Sequence, residues 1–198
     1  MSLTKQAKTF TPTIERLVLK HLTETRYPIR NRVIFLLSVK AGLRAKEIAH
    51  LRWGMLTDAE GNLSEALNVC NSASKGRQGG RVIPMNKELR TAIMAWRSEL
   101  GNLATPDRVV ITSERGNSPM SATTITNWFF KLYRTMGLDG CSSHSGRRTF
   151  ATRAARTIVG VGGSLKDVQE LMGHASLAMT QRYIQGSEDA KRRVVDAI

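Results

Sequence analysis

The sequence predicts a mainly α-helical domain with a small antiparallel β-sheet, an α+β fold. Apolar residues recur at helical spacing through most of the chain, as in the run Val33, Ile34, Leu36 and Leu37. The period changes in the middle of the chain, where two short β-like runs (67–69 and 82–83) flank a glycine-rich stretch, 74–80. Such a stretch is typical of a hairpin turn, because glycine adopts the positive φ angles that tight turns need. We therefore expect one β-hairpin among the helices.

The charge of the chain indicates its partner. Its 198 residues suffice for one large domain, and they include 30 Lys and Arg against 16 Asp and Glu, a net charge of +14. This excess favours a polyanion, because each neutralised phosphate releases condensed counterions. An anionic membrane surface would instead call for a basic amphipathic helix or a polybasic tail, whereas these charges are spread through the sequence. We expect a nucleic acid and no membrane as the partner.

The two cysteines give no indication of a metal site. Cys70 and Cys141 lack CxxC spacing and have no histidine at ligand spacing. Reduced, intracellular thiols are the interpretation we favour, with a zinc site or a disulfide as the alternatives. We therefore expect neither a metal nor another cofactor.

The expected elements begin after a loose, basic N-terminal arm over residues 1–13. A first helix is expected over 14–25, a second from Pro28 to the glycine at 42, and a third from Arg44 to Leu51. Pro84 closes the second strand of the hairpin. Further helices are expected near 87–100, 121–136, 145–158, 164–172 and 176–184, and a short terminal helix in 187–198.

The third helix carries charge on its apolar face. Arg44, Glu47, Ile48 and Leu51 stand at i, i+3, i+4 and i+7, so they share one side of the helix. Burying charge is costly unless the charge is paired or has a function. The pattern fits an ordinary Arg–Glu pair at the edge of the core, and it equally fits an arginine that Glu47 holds in a cleft.

A second arginine is predicted to lie against the core. Arg147 is followed at i+4, i+7 and i+11 by Ala151, Ala154 and Ile158, and His144 precedes it by one turn. No acidic residue lies between positions 140 and 165. An arginine without a local counter-charge suits a phosphate, which guanidinium binds through two parallel hydrogen bonds, although a solvated basic face is the alternative.

The third feature is a histidine that follows a helix. Ser164 and Asp167 form a capping-box pattern at the start of that helix, and Gly173 ends it. His174 then lies at a fixed, partly buried corner, and Tyr183 follows nine residues later on the short helix that begins at Ser176. A lone histidine at such a place is usually structural.

Taken in order, these segments resemble the tyrosine recombinase (phage integrase) family over roughly residues 14–190. Each motif is loose, but five in this order with suitable gaps are quite specific. The motifs are Ala41-Gly42-Leu43-Arg44-Ala45-Lys46-Glu47-Ile48, Ser74-Lys75-Gly76, His144-x-x-Arg147, Leu171-Met172-Gly173-His174 and the Tyr183 segment.

The resemblance implies the fold of a tyrosine recombinase catalytic domain over residues 14–186 and a role for each motif residue. Tyr183 is the implied nucleophile, which attacks a DNA phosphate. The implied catalytic partners are Arg44, Lys75 on the hairpin, His144, Arg147 and His174, with Glu47 supporting Arg44.

The resemblance also implies the setting in which the chain works. Its substrate is double-stranded DNA, on which four protomers assemble, with residues 187–198 as the docking segment between them. Accessory DNA-bending proteins are further expected partners, and the expected location is cytoplasmic, on DNA. The activity is DNA recombination and integration, of the kind that mobile elements carry, with no cofactor.

Three departures from the family pattern stand out. Gly146 occupies a position where relatives often carry Leu or a similar apolar residue, and the glycine-rich link 159–163 is longer than usual. Fewer than 14 residues precede the first expected helix, whereas relatives usually carry an N-terminal helical domain that clamps the other face of the DNA. We favour a fragment of a longer recombinase over a minimal enzyme.

Two other functions stay open. A type IB topoisomerase shares the chemistry but reseals the original strand; the gap of eight residues between His174 and Tyr183 favours the integrase arrangement. A non-catalytic DNA-binding module would explain the charge, but it leaves the order of the motif residues unexplained.

Overall fold

The computed structural model describes residues 7–70, 80–113, 118–183 and 195–196. They divide into two compact units, 1–150 and 151–198. The described residues are mostly helical and include one two-stranded antiparallel sheet, which confirms the expected fold class.

The first helix, α1 (Pro12–Thr23), begins two residues earlier than expected, because the Thr11 side chain caps it and Pro12 occupies its first turn. The expectation of a loose arm is wrong for the described residues before it. Phe10 is buried, with its ring 5.8 Å from Phe35 and 5.5 Å from Tyr133. Burial of that one aromatic side chain attaches the segment to the first unit.

The core of the first unit is built around α2 (Pro28–Val39). The residues from Val33 to Leu37 are all fully buried, so this helix is apolar on every side rather than on one stripe. It packs against α1, α3 (Ala45–His50) and α4 (Lys87–Leu100). Gly42, at φ +64°, turns the chain from α2 into α3, as the sequence predicts.

The sheet is the predicted hairpin. Strand β1 (Ala66–Val69) pairs antiparallel with β2 (Arg81–Pro84), with Val69 opposite Arg81. The connecting residues 71–79, which include Lys75, lie outside the described residues. Arg81 is therefore the first β2 residue after the connection.

Two further helices, α5 (Ala122–Thr135) and α6 (Ser145–Thr157), complete the described part of the first unit; α5 packs against α3, and α6 continues into the second unit. The start of α6 lies close to α2. A Cβ atom built on Gly146 would lie 2.3 Å from the Ser38 hydroxyl oxygen and 2.9 Å from the Ser38 Cβ. The departure at Gly146 thus has a steric reason, since no side chain fits there.

The second unit contains the last turns of α6, a 3₁₀ turn (Val159–Val161), α7 (Leu165–Met172) and α8 (Leu177–Gln181). The predicted capping box of α7 is present, and Gly173 ends the helix in the left-handed conformation. Apart from Val195 and Asp196, the expected terminal helix lies outside the described residues. In the described part of the chain, no helix is long and apolar enough to cross a membrane.

Gly146→Ala should destabilise the protein by about 1–3 kcal/mol, because the added methyl group forces α6 away from Ser38. The free energy of unfolding in urea measures the effect. Gly160→Ala is the matched control, since nothing lies within 4 Å of a Cβ built there. Equal stabilities of the two variants would contradict the steric explanation.

Candidate anion site and histidine–tyrosine pair

The centre of the candidate site is the carboxylate of Glu47, which is fully buried in α3. The backbone N–H of Arg44 donates to its Oε2 at 2.8 Å, which caps the start of α3. The guanidinium Nη1 of the same arginine donates to Oε1 at 2.9 Å. Arg44 and Glu47 thus form an ion pair, which fits both interpretations of the sequence.

A second arginine, Arg81 on β2, clamps the same carboxylate. Its Nη1 donates to Oε1 and its Nη2 to Oε2, both at 2.9 Å, and its side chain is 9% exposed. Arg81 was not among the site residues predicted from the sequence. The available signal was its position: Arg81 stands two residues before buried Ile83, so both project from one face of the strand, whereas Val82 on the other face is exposed.

The third arginine is Arg147, which is 4% exposed, as its place on the apolar face of α6 predicts. Its Nη1 donates to the carbonyl oxygen of Gly42 at 2.6 Å and lies 3.8 Å from Oε2 of Glu47. Gly42 is fixed in turn by its positive φ and by the ring of Phe150, which lies 2.6 Å from a Cβ built on that glycine. The turn after α2 therefore fixes the direction of Arg147.

These contacts determine the ionisation of the Glu47 cluster, which consists of the side chains of Glu47, Arg44, Arg81 and Arg147. Burial alone would raise the pKa of Glu47, but the hydrogen bond and charge of Arg81, the Arg44 backbone N–H and the charge of Arg147 outweigh it and lower that pKa. Glu47 is therefore ionised at neutral pH. Among the described residues, the Glu47 carboxylate faces three guanidinium groups.

Arg44 is the guanidinium of this cluster that faces solvent. Its side chain is 30% exposed, against 9% for Arg81 and 4% for Arg147. Its Nη1 binds Glu47, and within the described residues its Nε and Nη2 make no hydrogen bond. The Nε–Nη2 edge of guanidinium carries two parallel donors that match two oxygens of a phosphate. The cluster can therefore bind a phosphate through Arg44.

His144 lies at the start of α6 and is exposed. Its backbone N–H donates to the Ser142 hydroxyl at 3.2 Å, and its carbonyl accepts from the N–H of Arg148 at 2.8 Å. The imidazole precedes Arg147 by one turn and is exposed to solvent.

The second unit brings together His174 and Tyr183. Their rings are stacked, with centroids 5.6 Å apart and planes 9° from parallel. The Nδ1 of His174 is hydrogen-bonded to the buried hydroxyl of Thr180 at 3.0 Å, and the Gln169 amide donates to the His174 carbonyl at 3.0 Å. The expectation of a fixed corner is thus confirmed, and His174 is buried.

Tyr183 does not lie within the short helix as expected. Helix α8 ends at Gln181, and Tyr183 follows in a turn, where its N–H donates to the Thr180 carbonyl at 3.0 Å. Its side chain is part-exposed, so it can meet a substrate. Thr180 was not predicted from the sequence, because a buried hydroxyl in a five-residue helix gives no distinct signal.

Glu47→Gln should lower the free energy of unfolding by about 3–5 kcal/mol at neutral pH, because it leaves buried arginines without a counter-charge. Since folding lowers the Glu47 pKa, the stability that its ionisation contributes is present above the unfolded-state pKa and is lost as pH falls through the lower folded-state value. The difference between wild type and variant should therefore shrink in acid.

Urea unfolding from neutral pH down to about pH 3 tests this linkage. Glu170→Gln is the control, because Glu170 pairs with Lys166 on the surface, where both side chains are 65% exposed. A Glu47→Gln difference that stays constant across this pH range would rule out the predicted ionisation effect.

Known proteins resemble this chain in sequence or in fold. The sequence profile of the phage integrase family matches residues 9–189. The tyrosine recombinase XerC of Shewanella amazonensis is 31% identical over 188 residues, 92% of this chain and 59% of that protein. XerC of Brucella melitensis is 29% identical over 155 residues, 78% of this chain and 45% of that protein. The chain thus spans about half the length of these relatives.

Solved structures resemble the chain along almost its full length. The Tn1549 transposon integrase, in complex with transposon right-end DNA, matches with a TM-score of 0.75 at 19% identity, over 96% of this chain and 65% of that one. The XerA recombinase matches with a TM-score of 0.74 at 21% identity, over 97% and 65% of the two chains. The expected fold is therefore confirmed, and because the family profile covers well over half of the chain, the protein belongs to the phage integrase family.

Proposed function

We propose that this chain is a site-specific DNA recombinase that cleaves and rejoins DNA strands through a 3′-phosphotyrosyl intermediate. The observation that carries the proposal is the Glu47 cluster, in which three guanidinium groups meet one carboxylate and Arg44 presents a fixed guanidinium edge to solvent. A DNA phosphate fits such a site in charge and in geometry. The net charge of +14 and the DNA-bound state of the Tn1549 integrase support DNA as the partner.

Strand cleavage first requires that the phosphate be activated for nucleophilic attack at phosphorus. Negative charge on the non-bridging oxygens grows as phosphorus becomes five-coordinate, and fixed donors stabilise it best because they need not reorganise. Arg44 and Arg147 supply fixed positive charge. His174, oriented by Thr180, supplies a further hydrogen bond.

The nucleophile is the phenol oxygen of Tyr183. It forms a bond to phosphorus while the bond from phosphorus to the 5′ oxygen breaks. A phenol ionises freely only at about pH 10, so a base is needed at neutral pH. His144 accepts the phenol proton, and the positive charge of the arginines favours the phenolate.

The departing 5′ oxygen takes a proton from Lys75, which lies outside the described residues. The products are a 3′-phosphotyrosyl enzyme and a free 5′ hydroxyl. Because the covalent link keeps the bond energy of the phosphodiester, rejoining needs neither ATP nor a metal.

Attack by the 5′ hydroxyl of a second strand completes the exchange. Exchange between two duplexes engages four protomers, with residues 187–198 as the docking segment between them. Accessory DNA-bending proteins and a cytoplasmic, DNA-associated location belong to the same proposal. Resealing by the original strand would instead relax supercoils, as a type IB topoisomerase does.

Wild type should form a covalent adduct with a nicked suicide DNA substrate, and Tyr183→Phe should form none, because the variant lacks the attacking oxygen. Denaturing gel electrophoresis measures the adduct. Tyr27→Phe is the matched control and should trap as much as wild type. Adduct on Tyr183→Phe would refute the nucleophile assignment, and tight binding by wild type without adduct would indicate a DNA-binding module.

Lys75→Ala should cleave normal DNA on the order of 100-fold more slowly, because the 5′ oxygen leaves poorly without a proton. A substrate with sulfur in place of that oxygen needs no proton to leave, so it should restore the rate. Lys166→Ala, which removes an exposed lysine, should behave as wild type on both substrates. Failure of sulfur to rescue Lys75→Ala would exclude a general-acid role.

A further inference from the structure

The guanidinium of Arg81 makes two hydrogen bonds to the Glu47 carboxylate, whereas that of Arg44 makes one. The two N–H groups of Arg81 reach both oxygens, each at 2.9 Å, in the fork geometry that guanidinium forms with a carboxylate. Arg81 is the first residue of β2, and its side chain is about nine-tenths buried. The side chain therefore has little freedom to change its conformation. The plane of the carboxylate is therefore fixed by a residue of the sheet.

Both contacts of Arg44 fall on oxygens that Arg81 also holds. Oε1 accepts from Nη1 of each arginine, and Oε2 accepts from the Arg44 backbone N–H and from Nη2 of Arg81. The position of the solvent-facing guanidinium of Arg44 thus depends on where Arg81 places the carboxylate.

Arg81 also changes the charge that an incoming phosphate meets. Without it, the negative charge of Glu47 would oppose a phosphate at Arg44, and only Arg44 and Arg147 would offset it. With it, the carboxylate is neutralised from the buried side. The charges facing Glu47 in the described residues come from the α3 N-cap (Arg44), β2 (Arg81) and α6 (Arg147).

We propose that Arg81 is a positioning residue of the phosphate site: it fixes and neutralises the Glu47 carboxylate so that Arg44 and Arg147 present their positive charge to a DNA phosphate. The inference rests on the proposed function. It does not depend on the placement of Lys75.

Arg81 could act in two ways: as a purely structural link between β2 and α3, or as a residue that balances the charge of Glu47. The two roles predict different results. If Arg81 only holds the fold together, removing the charge of Glu47 as well should not raise the rate of adduct formation. If Arg81 neutralises Glu47, removing both charges restores the balance at the site. The double variant therefore separates the two roles.

The experiment measures single-turnover adduct formation by the full chain on the suicide substrate. Arg81→Gln should slow it roughly 10- to 100-fold, and adding Glu47→Gln should recover at least about tenfold. The deficit of the single variant should also shrink as pH falls, because Glu47 without Arg81 takes up a proton more readily. Arg90→Gln, which breaks an ion pair with the exposed Glu65, is the matched control and should stay within about twofold of wild type.

Three results would overturn the proposal: a wild-type rate for Arg81→Gln, a double variant no faster than the single one, or a deficit that is uniform across pH. Absence of adduct with wild type would instead mean that the proposed function fails. If urea unfolding shows that Arg81→Gln does not fold, Arg81→Lys replaces it. That variant keeps the charge, so it should stay within about tenfold of wild type and gain nothing from Glu47→Gln; a gain would overturn the proposal.

Discussion

The buried carboxylate of Glu47 is the constraint on which the first unit depends. An ion removed from water costs several kcal/mol unless charged partners surround it, so the fold must bring those partners to one point. It does so from three places: the N-cap of α3, the first residue of β2 and the first turns of α6. Two of these elements are short, since α3 has six residues and β2 has four. Their convergence on one carboxylate, rather than their own length, fixes the hairpin and the start of α6 relative to α3.

The same constraint explains two glycines. Arg147 reaches the cluster only if α6 begins close against α2, and Gly146 permits this because Ser38 leaves no room for a side chain. The carbonyl of Gly42 must point at Arg147, which requires the positive φ of that turn. The resemblance to the family marks Gly146 as a departure from the expected pattern. In the structure, Gly146 allows α6 to pack closely enough against α2 for Arg147 to reach Glu47.

Much of this could be predicted from the sequence, and the omissions have physical causes. The fold class and the ends of α4 follow from periodicity, and the face shared by Arg44 and Glu47 follows from helical spacing, because these are local properties. Arg81 could not be paired with Glu47 in this way, since the two lie 34 residues apart and only the folded hairpin brings them together. Phe10 and Thr180 were missed for a related reason. One buried side chain in a short segment forms no periodic pattern. The aromatic partners of Phe10 are distant in sequence, and Thr180 makes its contact through one hydroxyl group.

The distribution of the site residues between the units separates two properties of the proposed enzyme. In the first unit, Glu47 is bound by Arg44, Arg81 and Arg147, which all belong to that unit. In the second unit, the His174 and Tyr183 rings stack on each other, and Thr180 of the same unit binds the His174 ring. Each group of residues thus has local contacts that a substitution can change one at a time. In the proposed enzyme, a substitution in the Glu47 cluster should change how the phosphate is bound and stabilised, whereas a change at Thr180 should act on the orientation of His174 and Tyr183.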